Sequence, residues 1–222
     1  MFDAVIFDMD GLMVDTEKVW EHSKKVTCER LGIPFSHEFD SLTRGTSGAT
    51  FVRCVEEHFA SIGYPDVDGQ AFLDEIWGLS DQAFEEGGVD KKPGLDEILA
   101  WLKQQGIPRA VASGSKLVQV HHHLALLGLD DKFTMEISGF DIENSKPAPD
   151  IFLKAARELG TDPARTVVLE DSSNGIRAAH AGGFIPIMVP DHESPEEAHG
   201  LYRYVCKDLF EVRDLLAAGK LG

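Results

Sequence analysis

The stretch Ala4-Val5-Ile6-Phe7-Asp8-Met9-Asp10-Gly11 decides the fold of this sequence. Its first four residues are apolar, and so short a run is typical of a strand that is buried on both faces. Two aspartates and a glycine follow at once. A buried strand that ends on acidic side chains predicts a parallel sheet with polar groups gathered at the carboxyl end of the strand.

Similar apolar runs recur along the chain. Further buried strands are predicted at 110–112, 135–137, 166–169 and 185–189, and amphipathic helices between them at 95–105, 117–127, 150–159 and 173–181. Strands that alternate with helices of this length predict an α/β fold with a doubly wound parallel sheet.

One long stretch interrupts this alternation. From about residue 16 to residue 90 the apolar positions follow helical spacing, and no strand is predicted. Chain breakers such as Gly87-Gly88 mark its far edge, where hinges are expected. At 222 residues the chain is long enough for one good core and a smaller second one. We therefore expect a helical insertion at 16–90 within an α/β core made of 1–15 and 91–222.

Polar side chains directly follow the predicted strands. They are Asp8 and Asp10 after the first strand, Ser113 after the second, and Glu170 and Asp171 after the strand that ends at residue 169. Ligands bind outside the carboxyl ends of the strands in an open parallel sheet. Four carboxylates in one place repel one another unless a cation compensates them, and their oxygens suit a hard ion, with Mg²⁺ favoured if a phosphate is also present.

A phosphate ester fits this combination. A carboxylate can attack phosphorus when a metal ion and Lys146 shield it from the charge of the phosphate. Ser113 and the backbone amides beside Gly114 would then donate hydrogen bonds to the phosphoryl oxygens. Each piece alone has an ordinary structural interpretation, because an Asp-x-Asp pair is usually a turn and Glu170-Asp171 would serve as a helix cap. Their order and placement together favour catalysis.

Four segments resemble the ordered motifs of the haloacid dehalogenase superfamily. They are Phe7-Asp8-Met9-Asp10-Gly11, Ala112-Ser113-Gly114-Ser115, Ser145-Lys146-Pro147 and Leu169-Glu170-Asp171-Ser172. The helical insertion resembles the cap of the β-phosphoglucomutase-like subfamily, which includes many sugar-phosphate phosphatases. The resemblance implies a Rossmann-like core with a helical cap, and a Mg²⁺-dependent phosphatase that forms an aspartyl-phosphate.

The resemblance also implies a role for each motif residue. Asp8 would be the nucleophile, and Asp10 the general acid to the leaving alcohol and then the base for water. Mg²⁺ would be held by Asp8, the backbone carbonyl of Asp10 and Asp171, with Glu170 as a direct or more distant ligand. The residues expected to bind the substrate are Ser113, Gly114, Ser115, Lys116, Lys146 and Trp20.

Two positions of the insertion separate a phosphatase from a sugar phosphomutase. β-Phosphoglucomutases have a histidine that restrains the general acid, and an arginine that grips the phosphate not being transferred. Those positions here are Trp20 and Gly48, and neither an indole nor a glycine is expected to do the same work. Hydrolysis is therefore favoured, with a phosphomutase as the alternative if Arg44 or Arg53 replaces the missing arginine. The loop 45–48 is expected to face the active site.

Two other classes share parts of this pattern. A phospho-accepting receiver module also uses acidic residues, a lysine and Mg²⁺ on a doubly wound sheet, but receivers are much shorter and have no insertion. A dehalogenase shares the fold, yet it needs no metal cage and would leave Asp10, Glu170 and Asp171 as an unexplained electrostatic cost.

The composition bears on partners and location. The net charge of −17 opposes binding to nucleic acid. No window approaches the roughly 18 apolar residues of a membrane span, and no leader sequence is recognised at the N-terminus. Cys28, Cys54 and Cys206 lack a CxxC spacing and are interpreted as buried thiols. We expect a cytoplasmic enzyme that acts on a small phosphorylated metabolite without nucleic-acid or membrane partners. The oligomeric state stays open, with a monomer favoured.

The sequence His121-His122-His123 suggests a metal site at first sight. Successive residues of a helix are about 100° apart, so three adjacent imidazoles do not converge on one ion. We interpret the three histidines as part of a solvent-facing helix surface.

Overall fold

A parallel sheet of six strands is the centre of the structure, a computed structural model that describes residues 2–44, 46, 48–140, 142–191 and 194–221. The strands are β1 (Ala4–Phe7), β2 (Arg109–Ser113), β3 (Met135–Ser138), β4 (Thr166–Glu170), β5 (Ile185–Met188) and β6 (Tyr204–Val205). Their order in the sheet is β3-β2-β1-β4-β5-β6, and each neighbouring pair is parallel.

Nine helices are formed by the described residues. They are α1 (Glu17–Leu31), α2 (His37–Thr43), α3 (Gly48–Ser61), α4 (Gly69–Glu85), α5 (Leu95–Gln104), α6 (Leu117–Leu126), α7 (Asp150–Leu159), α8 (Ser173–Ala181) and α9 (Leu209–Ala217), with short 3₁₀ turns at Pro163–Arg165 and Pro195–Ala198. In the part of the chain that the structure describes, no helix is long and apolar enough to cross a membrane.

Alternate strand residues point to opposite faces of the sheet, which is why both faces carry helices. Phe7 and Leu169 belong to an apolar cluster with residues of α5, α6 and α9. Ile6 and Val168 belong to a second cluster with residues of α7 and α8. The predicted α/β fold with a doubly wound parallel sheet is therefore confirmed.

The direction in which the chain adds strands reverses between β1 and β4. Strands β2 and β3 lie on one side of β1, and β4, β5 and β6 lie on the other. The register pairs Phe7 with Leu169, so the residues that follow these two strands leave the sheet side by side. Such a switch point opens a crevice at the carboxyl ends of the strands.

The predicted strands and the four predicted helices of the core are all present, but β6 was missed. This two-residue strand is half exposed and lies beside β5 at the edge of the sheet, so it has no apolar run that would reveal it. Of the three cysteines, which are free thiols, Cys28 and Cys206 are buried as expected, whereas Cys54 is only half-buried.

Helices α1 to α4 follow β1 and precede α5, and together they form the helical insertion. Its two connections to the core run side by side, because the amide of Asp15 donates to the carbonyl of Asp90 at 2.9 Å and the amide of Lys92 donates to the carbonyl of Met13 at 2.8 Å. The insertion has an apolar cluster of its own. At its centre Phe39 is fully buried, with its ring 4.8 Å from that of Phe59.

Removing the Phe39 ring should strongly destabilise the insertion. Phe39→Ala leaves a cavity among buried aromatic rings, so we expect the free energy of unfolding to fall by about 3–5 kcal/mol. Urea unfolding measures the loss, and Phe210→Ala on α9 is the control because that side chain is 37% exposed. Equal losses in the two variants would contradict the account of this core.

Candidate active site

The residues predicted at the strand ends meet at the switch point. Asp8 follows β1, Ser113 and Glu170 are the last residues of β2 and β4, and Asp171 follows β4. All four side chains are buried. Lys146 reaches the same place from the loop before α7. The sheet thus brings together side chains that are distant in the sequence, as the strand pattern predicted.

The ammonium group of Lys146 lies between two carboxylates. Its Nζ atom donates to Asp8 Oδ1 at 2.5 Å and to Glu170 Oε1 at 2.6 Å. Burial alone would lower the pKa of Lys146, but the charges of Asp8 and Glu170 raise it above the ordinary value of a lysine. The raised pKa favours the charged form of Lys146, which compensates part of the negative charge of the site.

Asp8, Glu170 and Asp171 form an acidic group that fits a cation. One carboxylate oxygen from each lies within 4.8 Å of the others. Burial raises the pKa of Asp8 to about 8, against the charge of Lys146, because a buried carboxylate with acidic neighbours resists ionisation. A bound cation would favour the ionised form. These hard oxygen donors suit Mg²⁺, the ion predicted from the sequence.

The second oxygen of Glu170 is already occupied. Oε2 accepts hydrogen bonds from the amide and the hydroxyl of Ser172, both at 2.9 Å, while Oε1 accepts from Lys146. Glu170 is thus fixed by three donors. Ser172 also caps α8, because its hydroxyl accepts from the amide of Gly175 at 3.1 Å.

Two glycines let the backbone approach these carboxylates. Gly11 has a φ of 82°, and a Cβ atom there would overlap the carboxylate of Asp171. A Cβ atom on Gly175 would overlap the carboxylate of Glu170. Both positions therefore require glycine for the acidic group to keep its shape.

The carboxylate of Asp10 is held by two donors outside that acidic group. Trp20 Nε1 donates to Oδ1 at 3.4 Å, and the hydroxyl of Ser113 donates to Oδ2 at 3.3 Å. The expectation that an indole does not do the same work as the histidine of β-phosphoglucomutases stays a prediction, but Trp20 does contact Asp10. The single N–H of the indole is enough for this contact, because it points from α1 directly at the carboxylate.

The insertion closes the crevice into a cavity. Asp8, Asp10 and Lys146 line it from the core, and Trp20 and Trp77 are among the residues that line it from the insertion. Gly114 and Ser115 also line the cavity, as predicted from their motif. Ser113 lies beneath them, fully buried, with its hydroxyl directed at Asp10.

The predicted position of Lys116 needs correction. Its Nζ atom lies 3.9 Å from the centre of the Trp77 ring and 3.8 Å from Asp74, and Lys116 is not among the residues that line the cavity. As the N-cap residue of α6, it is placed where its long side chain reaches over the ring of the tryptophan.

The loop predicted to face the site does so where the structure describes it. Thr46 and Gly48 line the cavity, whereas Gly45 and Ser47 lie outside the described residues. Of the two arginines considered as replacements for a phosphate-gripping arginine, Arg44 lines the cavity and Arg53 does not.

Sequence reasoning missed a buried ion network in the insertion. Lys24 lines the cavity and donates to Asp40 Oδ1 at 2.6 Å, and Arg44 donates to Asp40 Oδ2 at 2.5 Å. Because Lys24 and Arg44 share the single carboxylate of Asp40, this wall of the cavity has more hydrogen-bond donors than acceptors. We call it the donor-rich wall. The signal was the spacing of Lys24 four residues after Trp20, which puts both on the same face of α1.

The three histidines of α6 do not converge, as expected, but they do not all face solvent. His121 and His122 are largely exposed, whereas His123 is buried and stacks on Phe84. The interpretation of His123 as a solvent-facing residue is therefore wrong, because α4 covers that side of α6.

Comparison with known proteins agrees with this arrangement. The family model of the haloacid dehalogenase-like hydrolases matches residues 2–183. Hexitol phosphatase B of Escherichia coli K12 is 31% identical over 221 residues, which cover 99% of this chain and 96% of that protein.

Two solved structures show the same fold. The protein CbbY from Rhodobacter sphaeroides, in complex with phosphate, is 26% identical, with a TM-score of 0.81 and coverage of 96% of both chains. A β-phosphoglucomutase from Clostridium difficile is 22% identical, with a TM-score of 0.84 and coverage of 100% of this chain and 97% of that one; at this identity it supports the fold alone. With the motif residues gathered at one switch point and the family model matched over most of its length, the chain belongs to the haloacid dehalogenase-like hydrolases.

Proposed function

We propose that the protein is a Mg²⁺-dependent phosphatase that hydrolyses a sugar phosphate through an aspartyl-phosphate on Asp8. The chain is a phosphoric monoester hydrolase, as its relatives named as phosphatases support. The observation that carries the proposal is the pair of differently held aspartates. Asp8 is bonded to Lys146 within the acidic group, whereas Asp10 is bonded to Trp20 and Ser113 beside it.

In the proposed mechanism Asp8 attacks phosphorus. One oxygen of its carboxylate is bonded to Lys146, so the other forms the new bond while the ester P–O bond breaks. Mg²⁺ would be held by Asp8, Asp171 and the backbone carbonyl of Asp10, with Glu170 nearby, and would supply positive charge against the negative charge of the phosphate. Lys146 and donors from Ser115 and the backbone at Gly114 would hold the phosphoryl oxygens.

In the proposed mechanism Asp10 moves the protons. In protonated form it gives its proton to the leaving alcohol oxygen, and as a carboxylate it then takes a proton from the water that attacks the aspartyl-phosphate. The hydrogen bonds from Trp20 and Ser113 hold it in position for both steps. Hydrolysis of the P–O bond to Asp8 releases phosphate and restores the nucleophile.

We propose that residues 16–90 act as a cap which covers the substrate and excludes water. The side-by-side connections at Asp15 and Asp90 suit a hinge. The donor-rich wall at Lys24 and Arg44 suits the hydroxyl oxygens of a sugar, and the names hexitol phosphatase and phosphorylated carbohydrates phosphatase among the relatives support this substrate class.

A sugar phosphomutase is the second candidate, and Arg44 is the observation that favours it. A guanidinium in the cavity would be able to grip a second phosphate, as the arginine of β-phosphoglucomutases does. Arg44 is, however, bonded to Asp40, which offsets its charge, and Gly48 supplies no side chain. Hydrolysis therefore remains the function that we propose.

Loss of the nucleophile should abolish turnover without unfolding the protein. Asp8→Asn keeps the shape of the side chain, and we expect phosphate release from sorbitol 6-phosphate to fall by at least about a thousandfold. Asp10→Asn should also be severe. The control is Asp3→Asn, which removes an exposed carboxylate paired with Arg165 and should keep turnover. Near-normal activity of a folded Asp8→Asn protein would overturn the mechanism.

Activity should depend on a divalent cation. We expect a chelator to abolish phosphate release and Mg²⁺ to restore it, whereas Ca²⁺ should restore it poorly because its larger and looser coordination shell misplaces the phosphate. Asp171→Asn should raise the Mg²⁺ concentration needed for half-maximal rate. Full activity after thorough removal of metal would contradict the proposal.

The balance between hydrolysis and phosphoryl transfer is measured with β-glucose 1-phosphate. We expect free phosphate and no detectable glucose 6-phosphate, even with a bisphosphate primer, because no side chain at Gly48 holds the bisphosphate while it reorients. A coupled assay for glucose 6-phosphate reports the second product. Isomerisation faster than phosphate release would establish the mutase, with Arg44 as the residue to replace next.

A further inference from the structure

Helix α4 of the insertion packs on helix α6 of the core along a polar seam. Lys116, Gln119, His122 and His123 come from α6, and Asp74, Trp77, Asp81, Phe84 and Glu85 come from α4. The basic groups of this seam thus lie on the core and the acidic groups on the insertion. Because α4 also carries Leu73 and Trp77 into the cavity wall, the seam sets where that wall stands over the substrate.

His123 is the buried centre of the seam. It is 4% exposed, its Nε2 atom lies 2.8 Å from Asp81 Oδ1, and its ring is parallel to the Phe84 ring with centroids 3.6 Å apart. Gln119 donates to both oxygens of the same carboxylate at 3.1 and 3.2 Å. Asp81 is therefore held from the core by two side chains.

The position of these contacts along α4 determines how the insertion is oriented on the core. Asp81 and Phe84 lie at the end of α4, and the chain returns to the core soon after it, at Lys91, which pairs with Val14. A contact beside the connections fixes the angle at which the whole insertion meets the core.

We propose that His123 is a positioning residue which, in its neutral form, holds α4 against the core and so keeps the cavity closed over the bound substrate. The proposal rests on the phosphatase function proposed above. Protonation of His123 would loosen the contact between α4 and α6, and the bound molecule would then leave the cavity more readily.

The proton count of the ring follows from its partners. A carboxylate at Asp81 only accepts, so Nε2 of His123 carries the hydrogen and Nδ1 is the bare nitrogen of the neutral ring. Nδ1 is buried and has no hydrogen-bond partner among the described residues. A second proton would therefore create a buried donor without an acceptor, which is costly.

Some of the groups around His123 raise its pKa and others lower it. Burial lowers the pKa of His123, Asp81 and the more distant Asp10 raise it, and His122, 6.0 Å away between ring centroids, lowers it. Glu85 is bonded to His122. The net direction is downward. A basic group with a lowered pKa in the closed state supports that state above its ordinary pKa of about 6.5 and loses this support as the pH falls below it.

The test is the pH dependence of KM for sorbitol 6-phosphate between pH 5 and 8. His121→Gln is the matched control, because His121 lies on the same helix, is 69% exposed and has Glu136 as its hydrogen-bond partner among the described residues. Dividing each profile by that of the control removes the titration of the substrate and of the catalytic aspartates. In the wild-type protein and the control we expect protonation of His123 to raise KM on the acid side by roughly tenfold, because the buried Nδ1–H then has no acceptor among the described residues.

His123→Gln keeps a donor for Asp81 but does not titrate, so its KM divided by that of the control should fall on the acid side, which means that the acid rise due to His123 is missing. His123→Leu has no donor, so its KM should be high throughout, again without an acid rise. An acid rise in a folded His123→Gln protein equal to that of the control would overturn the proposal. No phosphate release by the wild-type protein from any member of a panel of sugar phosphates would instead overturn the phosphatase function.

Asp81→Asn gives an independent check at a site that tolerates change, since the Asp81 side chain is 39% exposed. The amide oxygen still accepts from His123, but the negative charge that raises the pKa of His123 is gone. The onset of the acid rise in KM should stay near the ordinary pKa of about 6.5, which the open state sets, while the rise becomes larger and extends to lower pH. A rise equal to or smaller than that of the control would contradict the proposal.

Discussion

The whole site depends on one ammonium group among carboxylates. Lys146 donates to both Asp8 and Glu170 in a place where burial raises the pKa of Asp8 in spite of that positive charge, and it does so at the switch point between the neighbouring strands β1 and β4. Every other feature of the core supports this arrangement. Ser172 fixes Glu170, and Gly11 and Gly175 leave room for the carboxylates that meet there. A bound cation would offset the negative charge of the carboxylates that Lys146 leaves uncompensated.

The insertion adds what the core lacks. Trp20 reaches Asp10 from α1, Lys24 and Arg44 present donors to the cavity, and α4 stands over the core on a seam of side chains from α6. In the function that we propose, the core supplies the chemistry, and the insertion restrains Asp10 and selects the substrate. A polar seam suits a contact that must open and close, because its groups can be satisfied by water when it parts.

The parts that the sequence predicted are those with local signals. Buried parallel strands are continuous apolar runs, so the strands that carry Asp8, Ser113 and Glu170 were found, and with them the gathering of these side chains at one edge of the sheet. The parts that were missed depend on tertiary contacts. Nothing local shows that His123 is covered by α4, that Lys116 turns to Trp77, or that the indole of Trp20 points at Asp10. The edge strand β6 was not predicted because it is too short and too exposed to have an apolar pattern.

The central claim is that Asp8 becomes phosphorylated during turnover. The most direct measurement is acid quenching of the enzyme during turnover of sorbitol 6-phosphate with Mg²⁺, followed by mass spectrometry of the peptide that contains Asp8 and Asp10. The account predicts a phosphoryl group on Asp8, labile to hydroxylamine as an acyl phosphate is, and absent from the Asp8→Asn protein. A phosphoryl group on another residue would contradict it, and so would steady turnover with no phosphoenzyme at any quench time in a sample whose Asp8 peptide is fully recovered.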